Sequence, residues 1–405
     1  MVRNKVKTSS EKRKKRFPFF WIIVGILVLV GVALIAVGSP VLVGTESGEK
    51  GETSAKPESS YVDFVVRIDG AIHQAIIDLG INEKEITVRK NKDIEQLPGT
   101  KFASITIKIN NSFPMGLINY VFQRTIIDSA GRIINAVESK TGTELSMQVA
   151  YGDIKTHNIK IIRKAGIPIK PAYVALLIDD FGYYPVPTAR GFLELGITFT
   201  ASILPYAEYT QYFIRELEKN KDKTKNIERM VHIPMEPKSY PKDDPGPNAI
   251  LVSQDDREIL GLAQKAIEAV PGAVGANNHM GSKATENSRV MYQVLRAVRD
   301  AGLFWIDSRT TPYTISVDVA KDMKIPAMHI DHVIDPPGID VDQTEQRLYT
   351  YCMEARRTSA MVLNCHSSDT TLMILQRNIP SLMKYGVEFI TVSQAKERKL
   401  AESKR

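Results

Sequence analysis

The sequence contains little cysteine, with only Cys352 and Cys365 in 405 residues. Small proteins that depend on disulfides carry several cysteines at close spacing, so this chain is not a disulfide-stabilised scaffold. A single bridge between the two residues is compatible with the sequence. Because free cysteine is among the most buried residue types, we instead expect two small side chains in the core.

The sequence also lacks an excess of charge over most of its length. The formal net charge is +7. Residues 1–16 contain eight basic residues and one acid, Glu11, and so account for all of it. Nucleic-acid binding requires a basic face on the folded domain, whereas here the basic residues form a short terminal tail. The composition therefore predicts no nucleic-acid partner.

No charged residue occurs between Phe17 and Thr45, and residues 19–37 are nearly all apolar. About 20 apolar residues span a bilayer, and Lys and Arg keep their side of the span in the cytoplasm. We therefore predict a basic cytoplasmic tail at 1–16 and a single transmembrane anchor at 17–44 in the inner (cytoplasmic) membrane. The rest of the chain is then extracytoplasmic (periplasmic). A cleaved signal peptide is the alternative, but its apolar region is usually about 7–15 residues long.

Two linkers divide the remainder of the chain. Residues 45–60 are polar and predict a flexible linker, and residues 165–172 contain two prolines and predict a second. Between them, residues 61–164 predict a small α+β domain without a cluster of metal ligands or nucleophiles. Its predicted helices are Val62–Leu79 and Pro114–Ile127, and its predicted strands are Phe102–Ile109, Ile133–Val137, Glu144–Val149 and His157–Ile162.

Residues 173–395 alternate short apolar runs, typical of buried strands, with amphipathic helical stretches. Repeated strand–helix units favour a (β/α) barrel, complete or incomplete, over an open doubly wound sheet. Residues 396–405 predict a polar C-terminal tail. The eight predicted strands are Val174–Ile178, Thr198–Leu204, Arg229–Ile233, Ala273–Ala276, Leu303–Ile306, Ala327–Ile330, Met361–Asn364 and Val387–Val392.

Chemically reactive side chains follow these strands at the points where the strands end. Each residue alone has a structural explanation, such as a helix cap or an ion pair. In a β/α barrel, however, the carboxyl ends of the strands converge on the face that carries the active site, so we expect one shared site. The residues, in strand order, are Asp179 and Asp180, His232, Asn277, Asn278 and His279, Asp307 and Arg309, Asp331, and His366.

This set of carboxylates and imidazoles suits a metal ion. Zinc binds oxygen and nitrogen ligands and leaves a coordination position open in catalytic sites. One aspartate of the pair is then a ligand, while the other accepts a proton from water and a histidine opposite supplies one to the leaving group. The sequence therefore predicts Zn²⁺, or another divalent metal, as cofactor.

Six segments carry a resemblance to a known family. At IDDFG, HIPMEP, PGPNAI, NNHMGS, DSRT and the closing CH…ITVS, the sequence resembles the divergent polysaccharide deacetylase family. This family is a distant branch of the chitin and peptidoglycan deacetylases. The resemblance covers about residues 173–395. It implies a distorted (β/α) barrel of the glycoside hydrolase/deacetylase type, here preceded by the predicted transmembrane helix and the small α+β domain.

The resemblance implies roles for individual residues. Asp179 corresponds to the catalytic base and Asp180 to a metal ligand. Where the better characterised deacetylases have His-x-x-x-His, this sequence has His232-Ile-Pro-Met-Glu236. Either Glu236 or His279 supplies the third ligand, and we favour His279 because imidazole preserves the ligand type. The resemblance further implies that His366 is the general acid and that Arg309 orients Asp179 or binds substrate. Asp307 is placed with the catalytic group, and His332 and Asp335 are given no role. The predicted substrate-binding residues are Asn277, Asn278, Glu236 and Asp331.

Two functions follow from these assignments. The first is a metal-dependent hydrolase that removes N-acetyl groups from a cell-envelope polysaccharide or peptidoglycan. The second is a non-catalytic carbohydrate- or peptidoglycan-binding envelope protein that retains the barrel, and Glu236 in place of a histidine favours it. Retention of Asp179, Asp180 and His366 favours the enzyme. A metal-dependent phosphoesterase would require more basic residues around the site than the sequence supplies.

Overall fold

The computed structural model describes residues 58–94, 97–219 and 226–403. The predicted tail at 1–16, the anchor at 17–44 and most of the linker at 45–60 lie outside these residues. None of the helices in the described ranges is both long enough and apolar enough to cross a membrane. Residues Ser60–Arg405 form one compact unit, which contains two separate β-sheets.

Within the described residues, two α-helices and the five strands of the first sheet precede residue 165. In chain order they are α1 (Glu58–Asp78), β1 (Ile86–Ile94), β2 (Leu97–Asn110), α2 (Met115–Asp128), β3 (Arg132–Glu138), β4 (Glu144–Tyr151) and β5 (Ile154–Lys164). The strand order is β1-β2-β5-β4-β3, with β2 and β5 parallel and the other neighbours antiparallel. Both predicted helices and the four predicted strands are present. Strand β1 was not predicted, because the polar run Arg89–Asp93 interrupts its alternation.

The two helices of this part bury apolar stripes. Along α1, Phe64, Ile68 and Ile72 recur every four residues, lie on one face and are buried. Phe122 of α2 and Ile107 of β2 belong to the same core. Each such side chain contributes about 1.5–3 kcal/mol when it is removed from water. This core is continuous with the outer layer of the second sheet, so the two sheets share one hydrophobic interior.

The second sheet is parallel throughout. Its strands are β6 (Ala172–Phe181), β7 (Phe199–Ile203), β8 (Ile227–Met235), β9 (Gly275–Met280), β10 (Phe304–Asp307), β11 (Ala327–His329), β12 (His332–Val333), β13 (Met361–His366) and β14 (Val387–Ile390). Its helices are α3 (Val186–Leu193), α4 (Thr210–Lys219), α5 (Asp256–Glu268), α6 (Ser288–Asp300), α7 (Ser316–Asp322), α8 (Val341–Glu354), α9 (Asp369–Lys384) and α10 (Val392–Glu402). The strand order is β11-β10-β9-β8-β7-β6-β13-β12, and β14 also pairs with β6. All eight predicted strands are present.

The sheet curls until its two ends meet. Strands β11 and β12 stand at opposite ends of the strand order, yet only Ile330 and Asp331 separate them in the chain. The Ile330 amide donates to Asp307 O of β10 at 3.0 Å, and the Asp331 amide donates to Val362 O of β13 at 2.9 Å. The predicted sixth strand is therefore two short strands joined by a kink. This curled parallel sheet is consistent with the distorted (β/α) barrel and excludes the open doubly wound alternative.

Side chains that face the interior of the curled sheet change from apolar to polar along the strands. Successive residues of a strand point to opposite faces. In β6, Val174 and Leu176 pack in the outer core with the helices, while Ala175 and Leu177 belong to the small inner core. The next inward position is Asp179. The interior is therefore apolar towards the amino ends of the strands and polar towards their carboxyl ends.

A buried ion-pair network joins the two sheets. The Asp78 carboxylate, at the end of α1, is fully buried and accepts two hydrogen bonds from Arg357, at 2.7 and 2.6 Å. Arg124 of α2 donates to Glu354 of α8 at 2.8 Å. The Arg356 guanidinium donates to the carbonyls of Asp78, Lys170 and Tyr385. These contacts attach the first sheet to the helices of the second.

The structure also describes the two cysteines and the C-terminal segment. Cys352 and Cys365 are both free and buried, which confirms two small core side chains and excludes the bridge. The predicted polar tail at 396–405 is helical as far as Glu402, because α10 continues into it. The helix holds there because Lys399 binds the Asp331 carboxylate at 2.6–2.7 Å and Lys396 lies 4.3 Å from the centre of the Phe304 ring.

Candidate metal centre

Three potential ligand atoms converge at the carboxyl ends of β6, β8 and β9. Asp180 Oδ1 lies 3.1 Å from His279 Nδ1 and 3.3 Å from His232 Nε2, and the two imidazole nitrogens are 3.2 Å apart. Metal–ligand bonds of about 2.1 Å at octahedral or tetrahedral angles place ligand atoms about 3.0–3.4 Å apart. The triangle therefore has the dimensions of one face of a metal coordination shell.

The state of these groups also fits a cation. Asp180 Oδ1 is buried and receives no hydrogen bond within the described residues. His232 Nδ1 lies 3.0 Å from the amide oxygen of Asn277, and an imidazole that donates from Nδ1 has its Nε2 lone pair available to a cation. Burial alone would raise the pKa of Asp180, but the two nearby imidazoles outweigh burial and hold the pKa well below its usual range. The carboxylate is thus charged and lacks a donor.

The backbone turns unusually to present Asp180. Asp179 and Asp180 are consecutive, so in a regular strand they would point to opposite faces. Asp180 has a left-handed φ of +67°, and the pairing of β6 with β7 shifts register between Ile178 and Phe181. This irregularity brings both carboxylates to the same end of the sheet. Met280 and Arg309, at the ends of β9 and β10, also have positive φ, and strain of this kind often accompanies functional sites.

Asp179 is held behind the triangle by two amides. Its side chain is buried, with Oδ1 accepting from Asn277 Nδ2 at 3.0 Å and Oδ2 accepting from Asn364 Nδ2 at 2.8 Å. Asp179 Oδ2 lies 3.7 Å from His232 Nε2. Asn277 therefore joins the carboxylate to the imidazole that it also orients. Asn364 was missed by the sequence reasoning, although it lies two residues before His366 on the same strand and hence on the same face.

His366 lies on the neighbouring strand, β13, and is oriented by Asp335. Its Nδ1 is 3.0 Å from Asp335 Oδ1, and the other oxygen of Asp335 accepts from the His366 amide and the Thr371 hydroxyl. Burial alone would lower the pKa of His366, but the hydrogen bond and charge of Asp335, with the charges of Asp180 and Asp179, raise it to about 9. Asp335 had no predicted role and is the clearest omission of the sequence reasoning.

Asp307 and Arg309 do not join this cluster. Asp307 is fully buried and accepts from the Arg309 amide at 2.6 Å, the Thr314 hydroxyl at 2.5 Å and the Ser316 hydroxyl. Its carboxylate therefore shapes the loop after β10, and its assignment to the catalytic group stays a prediction. The Arg309 side chain is exposed and makes no contact with Asp179 in the described structure. Asn277 and Asn364, and not Arg309, orient Asp179.

The four residues predicted to bind substrate are held by the protein itself. The Asn277 amide is fully buried between Asp179 and His232. Asn278 is also fully buried, donates to Met280 O at 2.8 Å and accepts from the Ser308 amide at 3.0 Å. Both side chains are fully buried, and their predicted role in substrate binding stays a prediction.

Glu236 and Asp331 are likewise engaged away from the triangle. The buried Glu236 carboxylate accepts from the Val252 amide and from Lys283 Nζ, each at 2.6 Å. It is not among the converging ligand atoms, where His279 is found as predicted. Asp331 lies at the kink of the sheet and pairs with Lys399. Both carboxylates contact groups of the protein, and their predicted role in substrate binding stays a prediction.

Comparisons with known proteins agree with this picture. Residues 176–395, more than half of the chain, match the model of the family described as divergent polysaccharide deacetylase. The uncharacterised protein YibQ of Escherichia coli K12 is 28% identical over 216 residues, which are 53% of this chain and 65% of that protein. An uncharacterised protein of Haemophilus influenzae is 25% identical over 210 residues, or 51% of this chain and 72% of that one.

A solved structure supports the fold alone. The uncharacterised protein ATU2773 of Agrobacterium tumefaciens C58 superposes with a TM-score of 0.50 and 18% identity, over 56% of this chain and 89% of that chain. The curled parallel sheet, the cluster at its carboxyl ends and the family match all concern the same residues. The chain therefore belongs to the divergent polysaccharide deacetylase family.

Proposed function

We propose that the chain is a metal-dependent hydrolase that removes N-acetyl groups from a cell-envelope polysaccharide or peptidoglycan. The observation that carries the proposal is the convergence of Asp180, His232 and His279. Two nitrogen ligands and one oxygen ligand suit zinc, which we propose as the cofactor, with another divalent metal as the substitute. Glu236 replaces the expected histidine and so favoured a non-catalytic binding protein, but His279 supplies an imidazole in its place.

The chain's own residues have complementary parts in this reaction. Asp180, His232 and His279 would hold a divalent cation, which would polarise the acetamide carbonyl and lower the pKa of water to about 7. Asp179, fixed by Asn277 and Asn364 beside His232, accepts a proton from the attacking water. His366 Nε2 donates a proton to the departing nitrogen, while Nδ1 stays bound to Asp335. The water oxygen bonds to the carbonyl carbon, the carbon–nitrogen bond breaks, and acetate and a free amine leave.

We also propose that the reaction takes place outside the cytoplasm, with residues 17–44 as a single membrane span. The apolar, uncharged stretch after a basic tail supports this, and the substrate class requires access to the envelope. Fusion of a periplasm-dependent reporter after Arg405 tests the orientation. Reporter activity supports it, and activity of a cytoplasm-dependent reporter at the same position rejects it.

The central test is metal content. The purified full-length chain is expected to retain about one divalent cation per chain, and His232→Ala and His279→Ala are each expected to lose it because a ligand is removed. His73→Ala is the matched control, because His73 is exposed on α1. Acetate release from N-acetylated glycans is then measured on the loaded protein. A wild-type chain that binds no metal after supply and removal of excess rejects the proposal.

A further inference from the structure

A cavity opens beside the metal triangle, on the side of His366. Its volume is about 480 Å³, and both Asp180 and His366 line it. Pockets for small molecules have about 300–1,000 Å³. An acetyl group has three heavy atoms, which at about 30 Å³ each occupy on the order of 100 Å³. The cavity is therefore much larger than the acetyl group requires.

The walls of this cavity combine apolar and polar surface. Pro336, Pro337 and Ile339, from the segment between β12 and α8, form an apolar wall. Tyr184, from the turn after β6, is half-buried in the cavity, and its hydroxyl has no hydrogen-bond partner within the described residues. The exposed ring of Tyr183 packs against Tyr184 at 5.3 Å between centres. Apolar patches beside hydroxyl-binding groups match a pyranose ring, which has C–H faces and a hydroxyl rim.

The orientation of His366 decides which part of a substrate lies in this cavity. Asp335 also lines the cavity and occupies Nδ1 of His366, so Nε2 is the nitrogen left to face a substrate. A proton donor must lie within about 3 Å of the atom that receives its proton. In the proposed reaction that atom is the departing nitrogen. The group attached to this nitrogen therefore extends along the wall that His366 and Asp335 share.

We propose that this cavity holds the departing amino sugar, and that Ile339 and Tyr184 determine which sugar fits. The acyl group then lies on the other side of the triangle, towards the ends of β8 and β9. This inference rests on the proposed deacetylation. It assigns a sugar-binding role to the segment between β12 and α8 and gives the substrate a direction across the site.

The test introduces larger side chains into the cavity. It then measures whether a ligand with a sugar leaving group or a ligand that extends on the acyl side loses affinity. Ile339→Trp fills the cavity, and Val341→Phe narrows it from the start of α8, in case the first variant does not fold. Ile134→Trp, on the remote strand β3, is the matched control. The probes are the trimer of N-acetylglucosamine, which carries a large leaving group, and octanohydroxamic acid, which binds a metal and extends on the acyl side. Both are measured by equilibrium titration of the metal-loaded full-length chain.

We expect Ile339→Trp and Val341→Phe to weaken trimer binding at least about tenfold while hydroxamate binding changes less than about twofold. Tyr184→Phe is expected to weaken trimer binding about two- to tenfold, because one hydrogen bond is lost. Ile134→Trp changes neither. This pattern supports the cavity as the sugar site.

Other outcomes separate this proposal from the proposed reaction. Weaker hydroxamate binding with unchanged trimer binding places the acyl group in the cavity and overturns the inference. Unchanged binding of both probes, or no trimer binding by the wild type, also overturns it, whether or not acetate is released. In the last outcome, the wild-type chain binds the trimer but releases no acetate, and the variants lose trimer binding. This outcome rejects deacetylation but keeps the cavity as the sugar site.

Discussion

The amino and carboxyl ends of the strands in the second sheet bury different chemistry within one curled sheet. At the amino ends, the inward side chains Ala175, Met230 and Phe304 are apolar, and α10 covers them with Val392 and Ala395. Further along the same inward faces, at the carboxyl ends, Asp179 of β6 and His232 of β8 are polar instead. The first end buries mainly apolar surface, whereas the second concentrates charge. The comparison teaches that one end stabilises the sheet and the other is available for chemistry.

The two ends also differ in what their polar groups require. Lys399 and Asp331, below the amino ends, satisfy each other as an ion pair at 2.6–2.7 Å. At the carboxyl ends, Asp180 Oδ1 is buried without a hydrogen bond in the described structure. A buried polar atom that lacks a partner costs about 1–3 kcal/mol, and a charged one more. A bound cation removes that cost, so the unsatisfied end is also the end at which ligand binding stabilises the fold.

The largest effect is expected at the carboxyl ends, from Asp179→Asn. The amide cannot accept a proton from water, so kcat for acetate release should fall about 10²- to 10⁴-fold. Metal content should stay at the wild-type value, because Asp179 is not one of the three converging ligands. Release of acetate within twofold of wild type would show that Asp179 is not the base.

A smaller effect is expected at the amino ends, from Val392→Ala. Val392 is fully buried in the inner core, so its truncation should lower the free energy of unfolding by about 1–3 kcal/mol. Urea unfolding measures this, and Val88→Ala, at an exposed position of β1, is the control with little expected change. If kcat fell by more than the folded fraction does, the amino ends would also contribute to catalysis, and the proposed separation of stability from chemistry would be wrong.

A pH-dependent effect is expected from Asp335→Asn. His366 has its pKa raised to about 9, so it is protonated through the neutral range and loses its proton as the pH rises through about 9. Because that pKa exceeds the unfolded value of about 6.5, the His366–Asp335 contact stabilises the fold fully below 6.5 and loses this contribution towards 9. In the variant the pKa of His366 should fall, so the alkaline limb of the pH–rate profile should move to lower pH. Activity at pH 8 should therefore fall about tenfold.

This shift can be measured directly. A titration of the His366 ring by NMR should show the lower pKa in Asp335→Asn, and activity at pH 6 should be affected least. An unchanged alkaline limb in the variant would mean that His366 is not the proton donor.

The smallest effect is expected from Arg309→Gly. Arg309 has a left-handed φ of +48°, which costs a residue with a side chain about 1–2 kcal/mol, and glycine loses about 0.5–1 kcal/mol more entropy on folding. The variant should be more stable by no more than about 1 kcal/mol, with kcat within twofold of wild type. Lys324→Gly, at φ +58°, is the matched control for strain. A fivefold loss of kcat confined to Arg309→Gly would restore a role for this side chain in catalysis.

The sequence was sufficient to predict the strands of the second sheet and the convergence of Asp180, His232 and His279. Apolar runs such as Val174–Ile178 mark buried strands, and parallel strands bring their carboxyl ends together. The position of His232 and His279 after such runs was enough to expect them beside Asp180. For the third ligand His279 was favoured over Glu236, and the structure brings His279 to the triangle.

The sequence did not reveal the direction of each side chain at a strand end. Asp307 and Asn278 follow strands as Asp180 does, but their side chains turn into the protein and bind backbone amides. Whether a residue faces the site depends on local register, and the shift at Asp180 has no signature in composition. Asp335 was missed for a related reason, because its partner His366 lies 31 residues away.

The kink at Ile330 and Asp331 bears on how the sheet assembles. Its two amides are consecutive in the chain, yet one binds β10 and the other binds β13. Both bonds can therefore form only when the strands on the two sides already stand in register. The entropy of closing so short a connection is small, while the non-local pairing that precedes it is costly. We therefore expect closure to be a late and cooperative step of folding, and these two amides should exchange their protons with solvent only when the whole sheet opens.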